Sequence, residues 1–322
     1  MNRYTEIQQY LFENQRTWLV TGVAGFIGSN LLEKLLMLNQ KVIGVDNFIT
    51  GFKSNIKEAI KDAENELGRS LNKNFSFIDG DITDLETCDK ACDGVDYILH
   101  QAALGSVPRS INDPISSSHV NVSGFLNIIE ASKKAEVKRL VYASSSSVYG
   151  DNPNLPKIED SIGNPLSPYA LTKLINELYA KVYLNNYNFE SIGLRYFNIF
   201  GKRQDPMGSY AAVIPKWAYK IIKNQKVFIN GDGKTSRDFC YVENAVQMNI
   251  LAATSNNKEA VNQVYNVALN DRTSLYELYN MIEERLINKD LGITKKPPIY
   301  RDFREGDVRH SEANISKSKE LL

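Results

Sequence analysis

A tyrosine and a lysine four positions apart, Tyr169 and Lys173, are the side chains of this sequence best suited to proton chemistry. They lie near the start of a predicted helix, so both side chains share one helix face, one turn apart. A tyrosine with its ordinary pKa of about 10 is a poor base at neutral pH. Because a nearby positive charge favours the phenolate, the pair could take a proton from a substrate hydroxyl.

Four consecutive serines, residues 144–147, end a predicted strand ahead of this helix. A hydroxyl there could bridge a substrate oxygen and Tyr169. A tyrosine–lysine pair at this spacing is common on helix surfaces and carries little information alone. The serine run and the glycine-rich turn described next make it informative.

A glycine-rich turn, Gly22-Val-Ala-Gly25-Phe-Ile-Gly28, follows the first predicted strand and opens a helix. Such a turn lets the backbone approach a pyrophosphate, which rests on the helix N-terminus. Asp46 ends the second strand, where a carboxylate accepts adenosine ribose hydroxyls and repels a 2′-phosphate, so NAD is favoured over NADP. The alternative is that the glycines only form a tight strand-to-helix turn.

Two later segments fit the same cofactor site. Asp81 and Ile82 follow the third predicted strand and could meet the adenine edge, although a solvated aspartate at a loop end is an equal alternative for Asp81. Gln101, Ala102 and Ala103 follow the fourth strand, where small residues let the backbone run close to a cofactor.

The elements that must position these residues alternate between strand and helix. Predicted strands cover residues 17–21, 41–46, 75–78, 95–101, 139–144 and 191–195; predicted helices cover residues 2–14, 27–38, 54–67, 85–91, 114–135 and 168–186. This alternation indicates an α/β fold with a doubly wound parallel sheet. We expect a dinucleotide-binding domain over residues 1–200 and a smaller substrate lobe over residues 201–322, with some exchange of strands and helices and a ligand cleft between them.

Composition argues against several classes of function. With 38 basic and 38 acidic residues the formal net charge is zero, which argues against a nucleic-acid binder. The sequence shows neither a secretory signal nor an apolar run long enough to span a membrane, so we expect a cytoplasmic protein. Three cysteines fit reduced thiols; Cys88 and Cys92 lie one turn apart without partners for zinc, so we expect no metal.

Segments spread from residue 22 to residue 311 resemble those of the extended short-chain dehydrogenases/reductases, and within them the UDP-N-acetylhexosamine 4-epimerases. They are GVAGFIGSN (22–30), VDNF (45–48), GDI (80–82), HQAALGSVPRS (100–110), SSSSVYG (144–150), SPYALTK (167–173), LRYFNIFG (194–201), YAAVIPKW (210–217), INGDGKTSRDF (229–239) and REGDVRHS (304–311). Sequences of this family continue with a short tail beyond the point where this chain ends. The far end of the second lobe is therefore not predicted.

The resemblance implies NAD-dependent epimerisation at C4 of UDP-GlcNAc and UDP-GalNAc through a 4-keto sugar, serving surface polysaccharide synthesis. It makes Tyr169 the base, Lys173 its helper and Ser145 the catalytic serine, with Ser146 as its neighbour. The implied cofactor-binding residues are Gly22, Gly25, Phe26, Ile27, Gly28, Asp46, Asn47, Asp81, Ile82, Gln101, Ala102, Ala103, Tyr169, Lys173 and Tyr196.

The resemblance also implies how the UDP-sugar is bound. Arg237 and Arg304 would clamp the pyrophosphate, and Asp307 would meet the uridine ribose. Ser311 would face the sugar C2 substituent, where a small side chain leaves room for an acetamido group; a surface serine is the alternative. The implied substrate residues are Ser106, Ser145, Ser146, Asn198, Ala212, Val213, Lys216, Phe228, Asn230, Arg237, Arg304, Asp307 and Ser311.

Two other functions fit parts of the pattern. Nucleotide-sugar 4,6-dehydratases share NAD, the tyrosine and the lysine. They have a T-D-E sequence after the fifth strand, where this chain has serines. A non-catalytic NAD-sensing protein of the same fold would normally lose the tyrosine or the lysine. The resemblance further implies a homodimer, formed through helices such as those predicted at residues 114–135 and 168–186.

Overall fold

The computed structural model describes residues 2–208, 211–289, 292–303 and 308–322. In this part of the chain the strands are β1 Thr17–Thr21, β2 Lys41–Asp46, β3 Phe75–Asp79, β4 Tyr97–His100, β5 Arg139–Ser145, β6 Ser191–Tyr196, β7 Ile199–Phe200, β8 Phe228–Asn230, β9 Ser236–Arg237, β10 Cys240–Tyr241, β11 Val264–Val267, β12 Thr273–Ser274 and β13 Ile299–Arg301. The helices are α1 Arg3–Glu13, α2 Phe26–Met37, α3 Lys53–Leu67, α4 Leu85–Cys92, α5 Val107–Asn112, α6 Pro114–Ser118, α7 Gly124–Lys134, α8 Pro168–Tyr187, α9 Val213–Ile222, α10 Val242–Thr254, α11 Leu275–Ile287 and α12 Ser316–Leu321.

The main sheet is parallel and doubly wound, as predicted. Its seven strands among the described residues run in the order β11-β6-β5-β4-β1-β2-β3. Thr21 lies opposite both Val45 and His100, and Ser145 lies opposite Tyr196, so the carboxyl ends of these strands meet at one edge. In such sheets ligands bind at this edge, near the point where the strand order reverses, which here lies between β1 and β4.

Both faces of the sheet are covered by helices, because its central strands are apolar on both sides. Trp18 and Val20 of β1 belong to a core formed with α2, α3 and α10, whereas Leu19 points into the opposite core, formed with α4, α7 and α8. Side chains of a strand alternate between faces, and a sheet buried on both faces needs apolar residues throughout. β1 and β4 meet this requirement with the sequences TWLVT and YILH.

The structure contains elements beyond the predicted ones, and it divides one predicted helix. β11, from beyond residue 200, pairs with β6 and completes the main sheet. Residues 107–112 form α5, which begins with a proline in its first turn. The helix predicted over residues 114–135 is instead α6, a π-helical segment His119–Ser123 and α7. Such a segment shifts the helix register, and here it carries Asn121 into the site described below.

A further, smaller core, apart from the two that cover the main sheet, supports the edge of the site. Side chains from α9, β8 and α11 form it, among them Trp217, Ile229 and Tyr279. Short strand pairs then tie the surrounding loops together: β10 with β7, β12 with β9, and β13 with β8. These pairs place the loops after residue 200 near the carboxyl ends of β5 and β6, because β7 follows β6 within three residues.

The described residues contain neither a membrane-spanning helix nor a metal cluster. No helix among them is both long and apolar enough to cross a bilayer. No three of their His, Cys, Asp and Glu side chains come together in a way that could hold a metal ion. Cys88 and Cys92 are buried thiols, and burial raises the pKa of each to about 12. They are packing residues of α4.

Candidate active site

The glycine turn between β1 and α2 has no room for side chains. Gly22 has a φ of 68°, in the left-handed region that favours glycine, and a Cβ there would lie 2.8 Å from the backbone nitrogen of Ala102. A Cβ on Gly28 would lie 2.1 Å from the carbonyl oxygen of Gly22. Gly25, which precedes α2, brings no side-chain acceptor to the first N–H groups of this helix. The turn therefore fits a pyrophosphate resting on the helix N-terminus.

A cavity opens beside this turn, and we call it the glycine-loop cavity. Its lining residues are Gly22, Gly25, Val45, Asp46, Asn47, Ile49, Thr50, Gly80, Asp81, Ile82, Gln101, Ala102, Ala103, Leu104 and Val120. Nine of the residues that the resemblance assigns to the cofactor are among them: Gly22, Gly25, Asp46, Asn47, Asp81, Ile82, Gln101, Ala102 and Ala103. Phe26, Ile27 and Gly28 form the first turn of α2 behind the loop.

Asp46 is fixed at the end of β2 by backbone hydrogen bonds. Its carboxylate accepts from the Ala24 N–H at 2.9 Å and from the Phe48 N–H at 2.8 Å. Burial raises the pKa of Asp46, and these N–H groups oppose the rise. The carboxylate lines the glycine-loop cavity, and its two hydrogen bonds hold it in one orientation. A carboxylate held in this way can accept hydrogen bonds from ribose hydroxyls.

Asp81 organises the wall of this cavity opposite the glycines. Its carboxylate accepts a hydrogen bond from the Asn47 side chain at 2.7 Å and two from Thr83, each 2.8 Å long. Burial raises the pKa of Asp81, but these hydrogen bonds and the nearby His119 outweigh burial, and the pKa lies below its ordinary value. Asp81 thus joins the loops after β2 and β3.

Asn121, which no motif indicated, holds the wall formed by residues 101–104. Its side chain accepts from the Leu104 N–H at 2.8 Å and donates to the Leu104 carbonyl and to Thr172 Oγ1, both at 3.2 Å. Asn121 lies within the π-helical segment His119–Ser123. π-Segments are frequent at functional sites, but they leave no simple sequence signal.

A second cavity, the tyrosine cavity, has a volume of about 350 Å³. Its lining residues are Val107, Ser145, Ser146, Ser147, Tyr149, Gly150, Lys157, Leu166, Ser167, Tyr169, Ala170, Tyr196, Phe197, Asn198, Arg237, Val308, His310 and Ser311. The structure therefore brings together Ser145, Ser146, Tyr169, Tyr196, Asn198, Arg237 and Ser311, which the sequence places far apart.

Tyr169 reaches the tyrosine cavity from the first turn of α8. Ser167 caps this helix by accepting from the Ala170 N–H at 3.1 Å, and Pro168 occupies the first turn. The Tyr169 hydroxyl hydrogen-bonds Ser145. Ser145 Oγ already accepts from the backbone N–H and the hydroxyl of Ser147, at 3.1 and 2.9 Å, so its own proton is available for the phenolic oxygen. Such a donor favours the phenolate.

Burial works against the phenolate in the protein alone. It raises the pKa of Tyr169, and the hydrogen bond with Ser145 opposes the rise. Lys173 lies behind the tyrosine, buried, and its ammonium donates to the Ala143 carbonyl at 2.8 Å. Burial also lowers the pKa of Lys173 to about 8. Lys173 alone therefore does not bring the Tyr169 pKa down, and we expect the ammonium to favour the phenolate only together with the positive nicotinamide ring of bound NAD.

Two other tyrosines line the same cavity, but their protons are committed elsewhere. Tyr149 donates to Asn266 Oδ1 at 2.6 Å, and Tyr196 donates to Gln101 Oε1 at 3.0 Å. Burial raises the pKa of Tyr149 to about 12 and also raises that of Tyr196. The contacts of these hydroxyls leave Tyr169 as the phenol of this cavity best placed to exchange a proton.

The serine run is anchored from behind by a buried ion pair. Ser144 donates to Glu177 Oε1 at 2.5 Å, and Arg195 donates to both oxygens of Glu177, at 2.9 and 2.8 Å. Arg195 and Glu177 are both buried, so removing one partner would leave an uncompensated charge. This contact ties β5, β6 and α8 together directly below Ser145.

A third cavity of about 430 Å³, the arginine cavity, adjoins the tyrosine cavity and shares Asn198 and Arg237 with it. Its lining residues are Asn198, Ala211, Val213, Lys216, Trp217, Lys220, Phe228, Asn230, Arg237, Phe239, Leu275 and Arg301. The four basic residues in this set have no acidic counterpart among its described lining. Such an enclosure suits a pyrophosphate with an attached aromatic base.

Arg301 and Lys220 belong to this cavity although the sequence analysis does not include them. The Arg301 guanidinium stacks on the Phe228 ring, 3.4 Å from its centre, and the Lys220 ammonium lies 5.1 Å from the same centre. Burial lowers the pKa of Lys220, as do the charges of Lys216 and Arg301. Lys220 follows Lys216 by one helical turn, a spacing that could have indicated it.

The remaining predicted substrate residues lie next to the cavities or outside the described residues. Ser106 caps α5 by accepting from the Arg109 N–H at 3.2 Å, beside Val107 of the tyrosine cavity. Ala212 precedes α9, between the lining residues Ala211 and Val213. Arg304 and Asp307 lie outside the described residues.

The parallel sheet, the glycine turn at its switch point and the serine–tyrosine–lysine arrangement define a dinucleotide-dependent enzyme. Comparison with known proteins identifies the family. The sequence model described as "NAD dependent epimerase/dehydratase family" matches residues 18–268. The chain therefore belongs to this family, and its cofactor is NAD.

Individual relatives cover almost the whole chain. A putative UDP-glucose 4-epimerase from Methanocaldococcus jannaschii is 37% identical over 305 residues, which are 94% of this chain and 91% of that protein. A UDP-N-acetylglucosamine 4-epimerase from Methanobrevibacter ruminantium M1, solved in complex with UDP-N-acetylmuramic acid, is 36% identical with a TM-score of 0.85, over 95% of this chain and 92% of its own. A UDP-glucuronic acid 4-epimerase from Bacillus cereus, solved with UDP-glucuronic acid and NAD, is 29% identical with a TM-score of 0.80, over 95% and 92%.

Proposed function

We propose that this chain is an NAD-dependent UDP-sugar 4-epimerase and that its substrates are UDP-GlcNAc and UDP-GalNAc. The observation that carries the proposal is the tyrosine cavity. Tyr169, Ser145 and Ser311 line it together, and it shares Arg237 with the arginine cavity. A sugar in the tyrosine cavity and a UDP group in the arginine cavity would be joined at Arg237.

Tyr169 would act on the C4 hydroxyl of the bound sugar. As phenolate it takes the proton of this hydroxyl, and Ser145, which hydrogen-bonds the phenol, holds the sugar oxygen and the tyrosine in line. NAD bound at the glycine turn would supply the hydride acceptor and donor for C4. After the 4-keto sugar has rotated to present its other face, Tyr169 would return the proton to the same C4 oxygen. The glycine turn and Asp46 would hold the cofactor throughout.

The lining of the tyrosine cavity favours epimerisation over the alternative dehydratase reaction. Loss of water from C5 and C6 needs an acid and a base beside these carbons. Ser145, Ser146 and Ser147 occupy the position where dehydratases have an acidic pair, and no Asp or Glu is present among the described lining residues of the cavity.

The choice of an acetylated sugar rests on Ser311. This residue lines the tyrosine cavity, half-buried, and its backbone N–H donates to the Ser236 carbonyl at 3.1 Å. The backbone is thus fixed, and the small side chain leaves space where a larger one would intrude. The relatives are named for UDP-glucose, UDP-N-acetylglucosamine and UDP-glucuronic acid, so the choice of sugar needs its own test.

The test is direct conversion. Purified protein is incubated separately with UDP-GlcNAc, UDP-glucose and UDP-glucuronic acid, and the epimers are separated by chromatography, with Tyr169→Phe as the inactive control. We expect UDP-GalNAc from UDP-GlcNAc with a higher kcat/KM than either other conversion. A 4-keto-6-deoxy product would indicate the dehydratase reaction, and binding without turnover would indicate an NAD-sensing protein; either result would contradict the proposal.

A further inference from the structure

Three side chains close a hydrogen-bonded ring at the carboxyl edge of the sheet. Tyr196 donates to Gln101 Oε1 at 3.0 Å, Gln101 Nε2 donates to Asn249 Oδ1 at 3.1 Å, and Asn249 Nδ2 donates to the Tyr196 oxygen at 2.8 Å. The three residues come from the loop after β4, from the end of β6 and from α10. The ring therefore joins three elements that no local sequence pattern connects.

The backbone carbonyl of Ala245 sets the direction of every bond in the ring. Asn249 Nδ2 also donates to this carbonyl, at 2.7 Å, one turn earlier in α10. A carbonyl oxygen can only accept, so the amide group of Asn249 beside it must be the NH₂. The oxygen of Asn249 then faces Gln101, which must present its own NH₂ to Asn249 and its oxygen to Tyr196.

The closed ring fixes what Tyr196 and Gln101 offer to the two adjoining cavities, and its direction fixes where the Gln101 N–H points. Tyr196 lines the tyrosine cavity, and because its one proton is given to Gln101, it can only accept there. Gln101 lines the glycine-loop cavity, and the second N–H of its amide remains to donate. In a reversed ring Tyr196 would give its proton to Asn249, and the nitrogen and oxygen of the Gln101 amide would exchange positions.

We propose that Asn249 is a positioning residue for the reaction, acting through Tyr196 and Gln101. It is fully buried in α10 and belongs to the described lining of neither cavity. Its single side chain nevertheless fixes the orientation and the hydrogen-bonding role of one residue in the cofactor-side wall and one in the sugar-side wall. The relative placement of cofactor and sugar, on which transfer at C4 depends, rests in part on Asn249.

The test compares Asn249→Leu, Tyr196→Phe and the double variant. Leucine approximates the size of asparagine and removes all three of its hydrogen bonds. We expect Asn249→Leu to lower kcat about tenfold, equivalent to about 1.4 kcal/mol, with a much smaller change in KM for the UDP-sugar. Because Tyr196→Phe already opens the ring through which Asn249 acts, Asn249→Leu should lower kcat by less in the Tyr196→Phe background than in the wild type.

A second readout does not depend on turnover or on the identity of the sugar. The NAD retained after gel filtration is measured for each variant, together with the Tm of the NAD-free protein. Asn249→Leu should lose NAD, and the loss should again be non-additive with Tyr196→Phe. Thr254→Val removes another side chain to backbone hydrogen bond of α10, that of Thr254 Oγ1 to the Ile250 carbonyl at 2.7 Å, and should retain NAD.

The outcomes separate this inference from the proposed function. Additive losses of NAD in the double variant, or equal losses in Thr254→Val, would overturn the role of Asn249 even if the wild type epimerises UDP-GlcNAc. If the wild type converts no UDP-sugar, non-additive NAD loss would still support the ring. Asn249→Asp keeps the shape but has at most one proton, so it cannot donate both to Ala245 and to Tyr196, and wild-type NAD retention in this variant would contradict the role of the ring.

Discussion

The ammonium of Lys173 lies 6.0 Å from the centre of the Tyr169 ring, and its nearest acceptor is the Ala143 carbonyl, 2.8 Å away. The lysine therefore influences the phenol through space and not through a direct hydrogen bond. Burial lowers the pKa of Lys173 to about 8, so the charged form of this lysine destabilises the folded protein. Two consequences can be measured, one on stability and one on activity.

The stability of the NAD-free protein should depend on pH through Lys173. Between about pH 8 and 10.5 the unfolded chain holds the lysine proton and the folded chain does not, so stability rises with pH across this window. Below pH 8 the full cost, on the order of 3 kcal/mol, is present. Lys173→Met removes it. We expect the Tm of Lys173→Met relative to wild type to be highest below pH 8 and to decline towards pH 10.5.

The same variant should shift the activity profile to higher pH, since the phenolate of Tyr169 loses a neighbouring cation. The measurement is kcat against pH for both proteins. An unchanged profile would mean that Lys173 only positions bound groups. A Tm difference that is constant over pH 7 to 10.5 would contradict the burial cost of the ammonium.

Tyr169→Phe should remove turnover while leaving the fold intact. The phenylalanine keeps the ring and loses the oxygen that exchanges the proton, so kcat should fall by about 10²–10⁴-fold, the range for a lost general base. NAD content and Tm should stay close to wild type. Tyr149→Phe is the matched control, because the proton of Tyr149 is committed to Asn266. A larger loss of turnover in Tyr149→Phe than in Tyr169→Phe would show that the assignment of Tyr169 as the base is wrong.

Local sequence patterns predict the frame of this protein well. The bounds of β1 and β2 agree with the predicted strands at residues 17–21 and 41–46, because apolar runs there lie between strong turn and helix signals. β11 was not predicted, since VYNV is short and becomes a strand through pairing with the edge of β6. Tertiary pairing of this kind leaves little trace in a four-residue sequence.

The same distinction holds for the site. Tyr169, Lys173, Asp46 and the glycines lie in short motifs whose chemistry can be inferred from spacing. Glu177 and Asn249 act through contacts with residues that are distant in sequence, 18 to 148 positions away, so no local pattern indicates them. Residues that contact ligands tend to lie in sequence motifs. Residues that position those ligand-contacting side chains can be identified only from the three-dimensional structure.

Asp46 should make the protein selective for NAD over NADP. Its carboxylate is fixed by Ala24 and Phe48 and would repel a 2′-phosphate. We expect the purified wild type to contain NAD or NADH, and Asp46→Asn, which removes the charge at similar size, to bind NADP more tightly than the wild type does. Mass spectrometry of the denatured protein and titration of the NAD-free forms measure both. Mainly NADP in the wild type would contradict the assignment.

We propose that α6 and α8 form the interface of a homodimer. Large apolar side chains lie on their outer surface, with Ile115 81% and Leu178 54% exposed, and such patches mark interaction sites. Leu178→Asp should convert a dimer into a monomer in light scattering coupled to gel filtration. Met281→Asp, at an apolar residue of α11 with 47% exposure, should leave the mass unchanged. A monomeric wild type would contradict the proposal.

Ser311 should decide whether the protein accepts acetylated sugars. It lines the tyrosine cavity on a backbone fixed by Ser236, so a larger side chain at this position cannot easily move away. Overpacking of a fitted site costs roughly 1–3 kcal/mol, or about 5- to 150-fold in kcat/KM. Ser311→Tyr should therefore lose turnover of UDP-GlcNAc and UDP-GalNAc while keeping that of UDP-glucose and UDP-galactose. Ser311→Ala, which preserves the space, should keep the wild-type ratio of kcat/KM for acetylated over plain substrate. If this ratio does not fall in Ser311→Tyr, the acetamido group lies elsewhere and the preference for acetylated substrates loses its support.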